Sequence, residues 1–515
     1  MKNIYRISLL ITFAAFLGSS CSKEYLNTKP TNSIGAETMF KDVKNAKIAL
    51  NGVFKCMTQQ YGGFGQGYNG EGTIKYYIGN FGGNNYNLSG SGNVASMNQT
   101  YHDNNASTFI LYPWYYYYRM ISNINSILAN IDGAEGSVEE KNDIKAQALT
   151  LRAYSYTMLS QLFHKRWMDG HQDEAKDGNG LILRLEPTFD PMPISSAKAT
   201  FEQIYKDLDE AIGYFSSYSV KRSNNYSIDK NVAYAVYARA ALARLDYGNA
   251  LKYAKMAREG YPLMSVADYK AGFFTPTSEW IWSSYGGSTE TLYYYSFAAY
   301  VAYNAGTSTV RNNPRCISRE LYNQIPSSDI RKDLFLDPQK DKYSTTNGQS
   351  SKGTPLYNRA FKLYPDINER AKVAAWMQFK FSSEDGLGVG HLNHFRSSEM
   401  YLIEAEAEYK LGNEPNARAA LIKLLKDSGR NPSYTCTKTG TDLFNEIKLY
   451  RSIELWGEGF EFFDLKRWGD RISRKGYDKG GNWGSTYVVT VNPEQYNEWT
   501  NVLPLKETDY NDLAK

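Results

Sequence analysis

A chain of 515 residues, 42% hydrophobic and 22% charged, is long enough for a large core and for two lobes. Its net charge of +4, with basic residues dispersed, excludes nucleic acid as a main partner. Tyrosine outnumbers phenylalanine 43 to 23; its flat apolar face and polar rim suit stacking on sugar rings or framing a wet interface, while most of these tyrosines serve loops and sheet edges.

The first residues carry Lys2 and Arg6, then an uninterrupted apolar or small run from Ile7 to Leu17, then Gly-Ser-Ser before Cys21. This pattern is a secretory signal peptide over 1–20, too short to span a bilayer permanently. A cysteine at the cleavage point points to lipidation at Cys21, with acyl chains supplying the anchor. No later segment is apolar enough to be transmembrane. Cys56, Cys316 and Cys436 remain; three cysteines make no disulfide framework, and one pair at most could close.

Helical periodicity begins at 42–59, with Val43, Ala46, Leu50, Val53 and Phe54 on one face. It recurs at 113–131 and 142–167, and again at 201–215, where Thr200 is the expected N-cap. Two alanine-rich hairpins follow, 231–258 with a turn at Gly248-Asn249 and 396–425 with a turn at Gly412-Asn413. Small residues let paired helices approach closely, as in tetratricopeptide hairpins. The expected fold is mainly α: a tetratricopeptide-like helical hairpin bundle with a loop-rich variable lobe containing short strands. The hairpins cover about 42–59, 113–167, 200–260 and 396–428, as an interrupted array.

Between the helices lie polar insertions, about 60–112 and 265–395, too long to be plain connections and hence candidates for functional surface. Two aromatic groups stand in them. Tyr61, Phe64, Tyr68, Tyr76, Tyr77, Phe81 and Tyr86 alternate with Asn80, Asn84 and Asn85; Trp280, Trp282, Tyr285 and Tyr293–Tyr295 form the second. A sugar site needs an aromatic face for the C–H side of a ring and amides for its hydroxyls. The selected contacts are Tyr68, Tyr86, Asn84, Asn85, Trp280, Trp282 and Tyr294, although core packing competes at each. Tyr115–Tyr118 instead read as helix packing, since they lead into Ile121, Ile124 and Ile127.

Other motifs carry little. Gly65-Gln-Gly-Tyr-Asn-Gly70 has no strand before it and no capped helix after it, so it makes no dinucleotide site. His391 and His394 lack a third ligand at a recognised spacing, and no metal site is expected. Nucleophile-elbow, zincin and phosphate-loop patterns are missing, and no catalytic residue is assigned.

The densest stretch is Arg451-Ser-Ile-Glu-Leu-Trp-Gly-Glu-Gly-Phe-Glu-Phe-Phe-Asp-Leu-Lys-Arg-Trp-Gly469, with eight apolar or aromatic side chains interleaved with seven charges. Such a mixture describes a helix-rich junction packed against other protein, with Glu454, Glu458, Glu461 and Asp464 paired to Arg451, Lys466 and Arg467. The segment resembles the hallmark of the SusD/RagB family, surface lipoproteins of Bacteroidetes nutrient uptake. The opening Glu24-Tyr-Leu-Asn-Thr-Lys-Pro30 and the closing Val502-Leu-Pro-Leu-Lys506 extend that likeness to nearly the whole of 21–515. The resemblance implies a surface-exposed, lipid-anchored outer-membrane protein that captures an oligosaccharide and delivers it to a SusC-like TonB-dependent transporter, without a cofactor and without catalysis. Within the resemblance, a peptide ligand is the alternative; a surface glycosidase and a purely structural protein are more distant ones.

Overall fold

The computed structural model describes residues 35–515 apart from 66, 169, 171–179, 218–221, 223 and 290–292. The signal peptide, Cys21 and the 24–30 motif lie outside the described residues.

The helices that build the bundle are α1 (Val43–Cys56), α2 (Thr108–Asn130), α3 (Val138–Phe163), α4 (Ala197–Ser217), α5 (Lys230–Ala243), α6 (Tyr247–Ala257), α7 (Ser397–Lys410), α8 (Glu414–Ile422), α9 (Gly440–Glu454) and α10 (Glu461–Trp468). Each of α2 to α8 packs on the next, and α6 packs directly on α7. The array is thus continuous in space although the chain leaves it for about 140 residues between those two helices. Low-volume faces make the contact possible: in α5, Ala233, Ala235, Ala238, Ala240 and Ala241 are all fully buried.

Local chemistry moved several helix ends from their expected positions. α2 starts five residues before Pro113, because Ser107 caps it by accepting from the Phe109 N–H and because Ile110 and Tyr112 are buried. A proline this near the N-terminus forfeits one backbone hydrogen bond, which that burial outweighs. α4 starts before Thr200, which is buried inside the helix with its hydroxyl on the Ser196 carbonyl at 2.9 Å. The α5–α6 turn falls at Leu245, in the left-handed region at φ 61°, and Asp246 caps α6, so Gly248 is a helical residue. In the second hairpin Gly412 takes φ 84° at the turn, as expected.

The insertions form little regular structure. Strand β1 (Tyr86–Leu88) pairs antiparallel with β3 (Arg315–Ile317), and β2 (Trp280–Ser284) pairs antiparallel with β4 (Leu392–Arg396) across a bulge at Trp282. These ribbons tie the two insertions to each other and to α7. Two apolar cores result. One lies within the bundle of α1 to α7; the other lies under the insertions and α8 and α9. The 451–469 segment is their seam: Ile453, Leu455 and Trp456 enter the second core, whereas Phe462, Phe463 and Leu465 enter the first. The corner between α9 and α10 needs glycine at 459, where φ is +86° and a Cβ would press on Lys75 at 2.8 Å. No helix among the described residues is long and apolar enough to cross a membrane.

Candidate functional site

The carboxylates of the seam are structural. Arg396, at the end of β4, reaches Glu279 at 2.8 Å, Glu454 at 2.6 Å and Glu458 at 2.7 Å, all fully or nearly buried. Arg331 and Arg430 also reach Glu454, and Lys380 reaches Glu458 at 2.6 Å. Burial raises the Glu454 carboxyl, but Arg430, Arg396 and Arg331 outweigh it and hold the group well below the usual carboxylate range. The partners of Glu454 and Glu458 therefore come from outside the segment, not from Lys466 as expected. Only Asp464 follows the expected pairing, with Arg451 at 2.7 Å and Arg467 at 3.1 Å. Lys466 is buried, and its Nζ has no hydrogen-bond partner.

Several residues selected from the sequence belong to this interior. Tyr86 is buried and stacks on Trp456 with ring centroids 5.0 Å apart. Trp280 and Trp282 are buried as well; Trp282 donates to the Tyr226 carbonyl at 3.2 Å and packs on His394 at 4.5 Å. The whole of β2 is buried, with Trp280 in the second core and Trp282 in the first, so these three cannot present a face to a ligand. Asn84 and Asn85 direct their backbone N–H groups to Glu461 at 2.8 and 3.1 Å, and the Asn85 amide donates to it at 2.6 Å. Their polarity holds the seam to the first insertion. Tyr76 and Phe81 are also core residues, and Asn80 locks the Gly457–Gly459 corner by bonding both glycines. His391 and His394 do not converge on a metal site: His394 is buried with its Nε2 on the Ser284 hydroxyl at 2.7 Å.

Tyr68 and Tyr294 remain at the surface, and they border a different constellation. Half-buried Phe64 and Tyr68 stand 5.8 Å apart. Tyr115, from α2, lies 5.2 Å from Phe64 and is 42% exposed, contrary to its reading as helix packing. Arg119 sits 5.2 Å over the Tyr61 ring behind them. The loop carrying Tyr68 is pressed against the segment carrying Tyr294: Gly67 has φ +95°, and a Cβ there would collide with the Tyr300 hydroxyl. Tyr294 is 41% exposed and packs 4.8 Å from Tyr295.

Across a shallow cleft stands a second ring cluster. Tyr226, Tyr285 and His391 form a triangle with centroid distances of 5.4, 5.3 and 5.2 Å, and Tyr285 is half-exposed. Burial lowers the His391 imidazole, so it is neutral at physiological pH. The cleft between the clusters is lined by Thr58, Asn69, Gly286, Gly287, Ser296 and His391, and has a volume of about 20 Å³. Hydroxyls, an amide, the His391 imidazole and open backbone thus share the groove with apolar Phe297, Val389 and Leu392; no charged side chain lines it, and the partly exposed Tyr68 and Tyr285 are chain neighbours of its residues Asn69 and Gly286. Tyr226 and His391 escaped selection because they reach Tyr285 only through the fold; the Asn224-Asn225-Tyr226 triplet was the one compositional sign.

Comparison with known proteins fits this architecture. The family model described as "SusD family" matches residues 249–510, and one described as "Starch-binding associating with outer membrane" matches 24–242. The chain belongs to the SusD family. Among solved structures it resembles a SusD-like carbohydrate binding protein from Bacteroides vulgatus, with a TM-score of 0.76 at 22% identity over 92% of this chain and 97% of that one. A SusD superfamily protein from Bacteroides thetaiotaomicron aligns with a TM-score of 0.69 at 22% identity, covering 92% and 98% of the two chains. Another from Bacteroides vulgatus gives 0.73 at 20% identity over 92% and 98%. No curated protein matches the chain.

Proposed function

We propose that this protein captures an oligosaccharide in the cleft between the Phe64–Tyr68–Tyr115 and Tyr226–Tyr285–His391 clusters, at the cell surface. The carrying observation is a groove lined by uncharged hydrogen-bonding groups whose chain neighbours, Tyr68 and Tyr285, are partly exposed rings. A pyranose offers an apolar C–H face to Tyr285 or Tyr115 and hydroxyls to Thr58 and the Asn69 side-chain carbonyl. The open, shallow shape suits a chain passing through rather than a small molecule enclosed, and nothing in the groove calls for a cofactor. Family membership and the Lys2–Cys21 pattern support a lipid anchor at Cys21 in the outer membrane. From there the bound glycan passes to a SusC-like TonB-dependent transporter, whose enclosure raises the effective affinity of a modest site.

A glycan array and a peptide library probed with the chain lacking residues 1–21 test the ligand class. Binding of a defined oligosaccharide that weakens in Tyr285→Ala supports the reading. Binding confined to peptides overturns it. Labelled palmitate incorporated by the full chain and lost in Cys21→Ser tests the anchor.

A further inference from the structure

A larger cavity lies elsewhere, beside the seam. It encloses about 230 Å³ between the Asn80–Asn85 loop, Leu321–Gln324, α9 and α10. That is room for roughly seven waters at ~30 Å³ each, below the size of a pocket for a drug-like molecule and close to that of one sugar ring. Its apolar wall is Leu321, Leu449 and Leu455. Its polar wall includes Glu461, whose carboxylate keeps acceptor capacity beyond the three N–H groups it already takes. Arg451 lines the same cavity; it is 3% exposed, bonds Asp464 through Nε, and leaves Nη1 without a partner. An unsatisfied guanidinium N–H in so buried a side chain costs about 1–3 kcal/mol unless something occupies the cavity to accept it.

Four of the five charged side chains lining the cavity pair off, and burial pushes the carboxyl of the fifth, Glu461, up to about 7. Lys448 bonds Asp470 at 2.6 Å, and Arg451 bonds Asp464 at 2.7 Å. A phosphate would therefore find no excess of positive charge, a cation would find only Glu461, and no cluster of metal-ligating side chains exists among the described residues. The arrangement asks for a neutral molecule of about ring size with one apolar face, hydroxyls that donate to Glu461, and an oxygen that accepts from Arg451. We propose that this cavity is a second ligand site, separate from the cleft, that takes a single neutral pyranose-sized polyol. Asn445 and Gln324, both exposed at its rim, guard the entrance.

The test uses the purified full chain in detergent, titrated with D-glucose, D-galactose and N-acetyl-D-glucosamine. Saturation-transfer NMR and tryptophan fluorescence report binding, because Trp456 and Trp468 line the cavity. At least one hexose should bind. Ser452→Phe, which fills the cavity from the partly exposed face of α9, should weaken that binding at least tenfold. If Ser452→Phe does not fold, Gln324→Ala and Asn445→Ala replace it, with an expected weakening of at least threefold. Absence of hexose binding, or unchanged affinity in these variants, overturns the proposal. So does loss of hexose binding in Tyr285→Ala, which would place the sugar in the cleft. Oligosaccharide capture is scored separately with the same Tyr285→Ala protein, so the two readings fail independently.

Discussion

The 451–469 seam and the Trp280–Tyr295 stretch both carry dense groups of distinctive side chains, and the fold uses them in opposite ways. In the seam, charged groups go inward. Glu454 and Glu458 lie under three arginines and a lysine drawn from remote segments, so residues that resemble catalytic carboxylates hold two cores together. In the Trp280–Tyr295 stretch the division runs within a few residues: Trp280 and Trp282 are buried, while Tyr285 and Tyr294 face solvent. Residue type therefore does not mark function here. What distinguishes a binding face from a structural one is whether the fold leaves that face uncovered.

The sharpest way to break this contrast is Arg396→Met. It removes the one cation shared by Glu279, Glu454 and Glu458, leaving these buried carboxylates to Arg331, Arg430 and Lys380, and the loss should reach about 3–5 kcal/mol or prevent folding. Thermal unfolding reads it directly; a melting point unchanged from wild type would remove the seam's structural role. Trp282→Ala should cost a similar ~3–5 kcal/mol by opening a cavity between β2 and α3, whereas Tyr285→Ala should shift stability by no more than ~0.5 kcal/mol. In glycan binding the order should reverse, with Tyr285→Ala weakening affinity about tenfold and thus costing ~1.4 kcal/mol. Equal effects of the two on stability would erase the distinction between the buried and exposed aromatics.

Gly67→Ala should cost about 1–3 kcal/mol, because the residue sits at positive φ against Tyr300 and joins the two insertions. It should also weaken glycan binding, since it displaces the loop that carries Tyr68. A separate effect, cumulative over several pH units, is on pH dependence. Burial lowers His102 and His164 to about 3, so both are neutral in the native state. The unfolded chain takes up these protons below about 6.5 and the native chain does not. Their contribution is complete above that pH and is lost as pH falls from 6.5 towards 3, by up to about 1.4 kcal/mol per unit from each. Acid titration of the melting point checks this, and His164→Gln should reduce the slope by one proton.

Much of the bundle was legible in sequence. The helical periods of 142–167 and 201–215, the alanine-rich faces of the two hairpins and Gly412 act over a few residues, so local pattern was enough. Helix starts were read less well, because a cap such as Ser107 and the burial of Ile110 override the usual meaning of Pro113. Which aromatics stay exposed was the least legible. Tyr68 and Tyr294 were selected on composition and stay at the surface, but the same criterion selected Tyr86, Trp280 and Trp282, which the β1–β3 and β2–β4 ribbons bury.

By itself the sequence determined the mainly helical class and family membership, because helix periodicity and the 451–469 pattern are properties of contiguous residues. Only the tertiary structure decided which aromatics stay exposed, which carboxylates are neutralised and where a cavity remains. Each of those depends on atoms brought together from segments more than a hundred residues apart, as Asn85 is to Glu461 and Arg396 to Glu279, and no local pattern encodes such meetings.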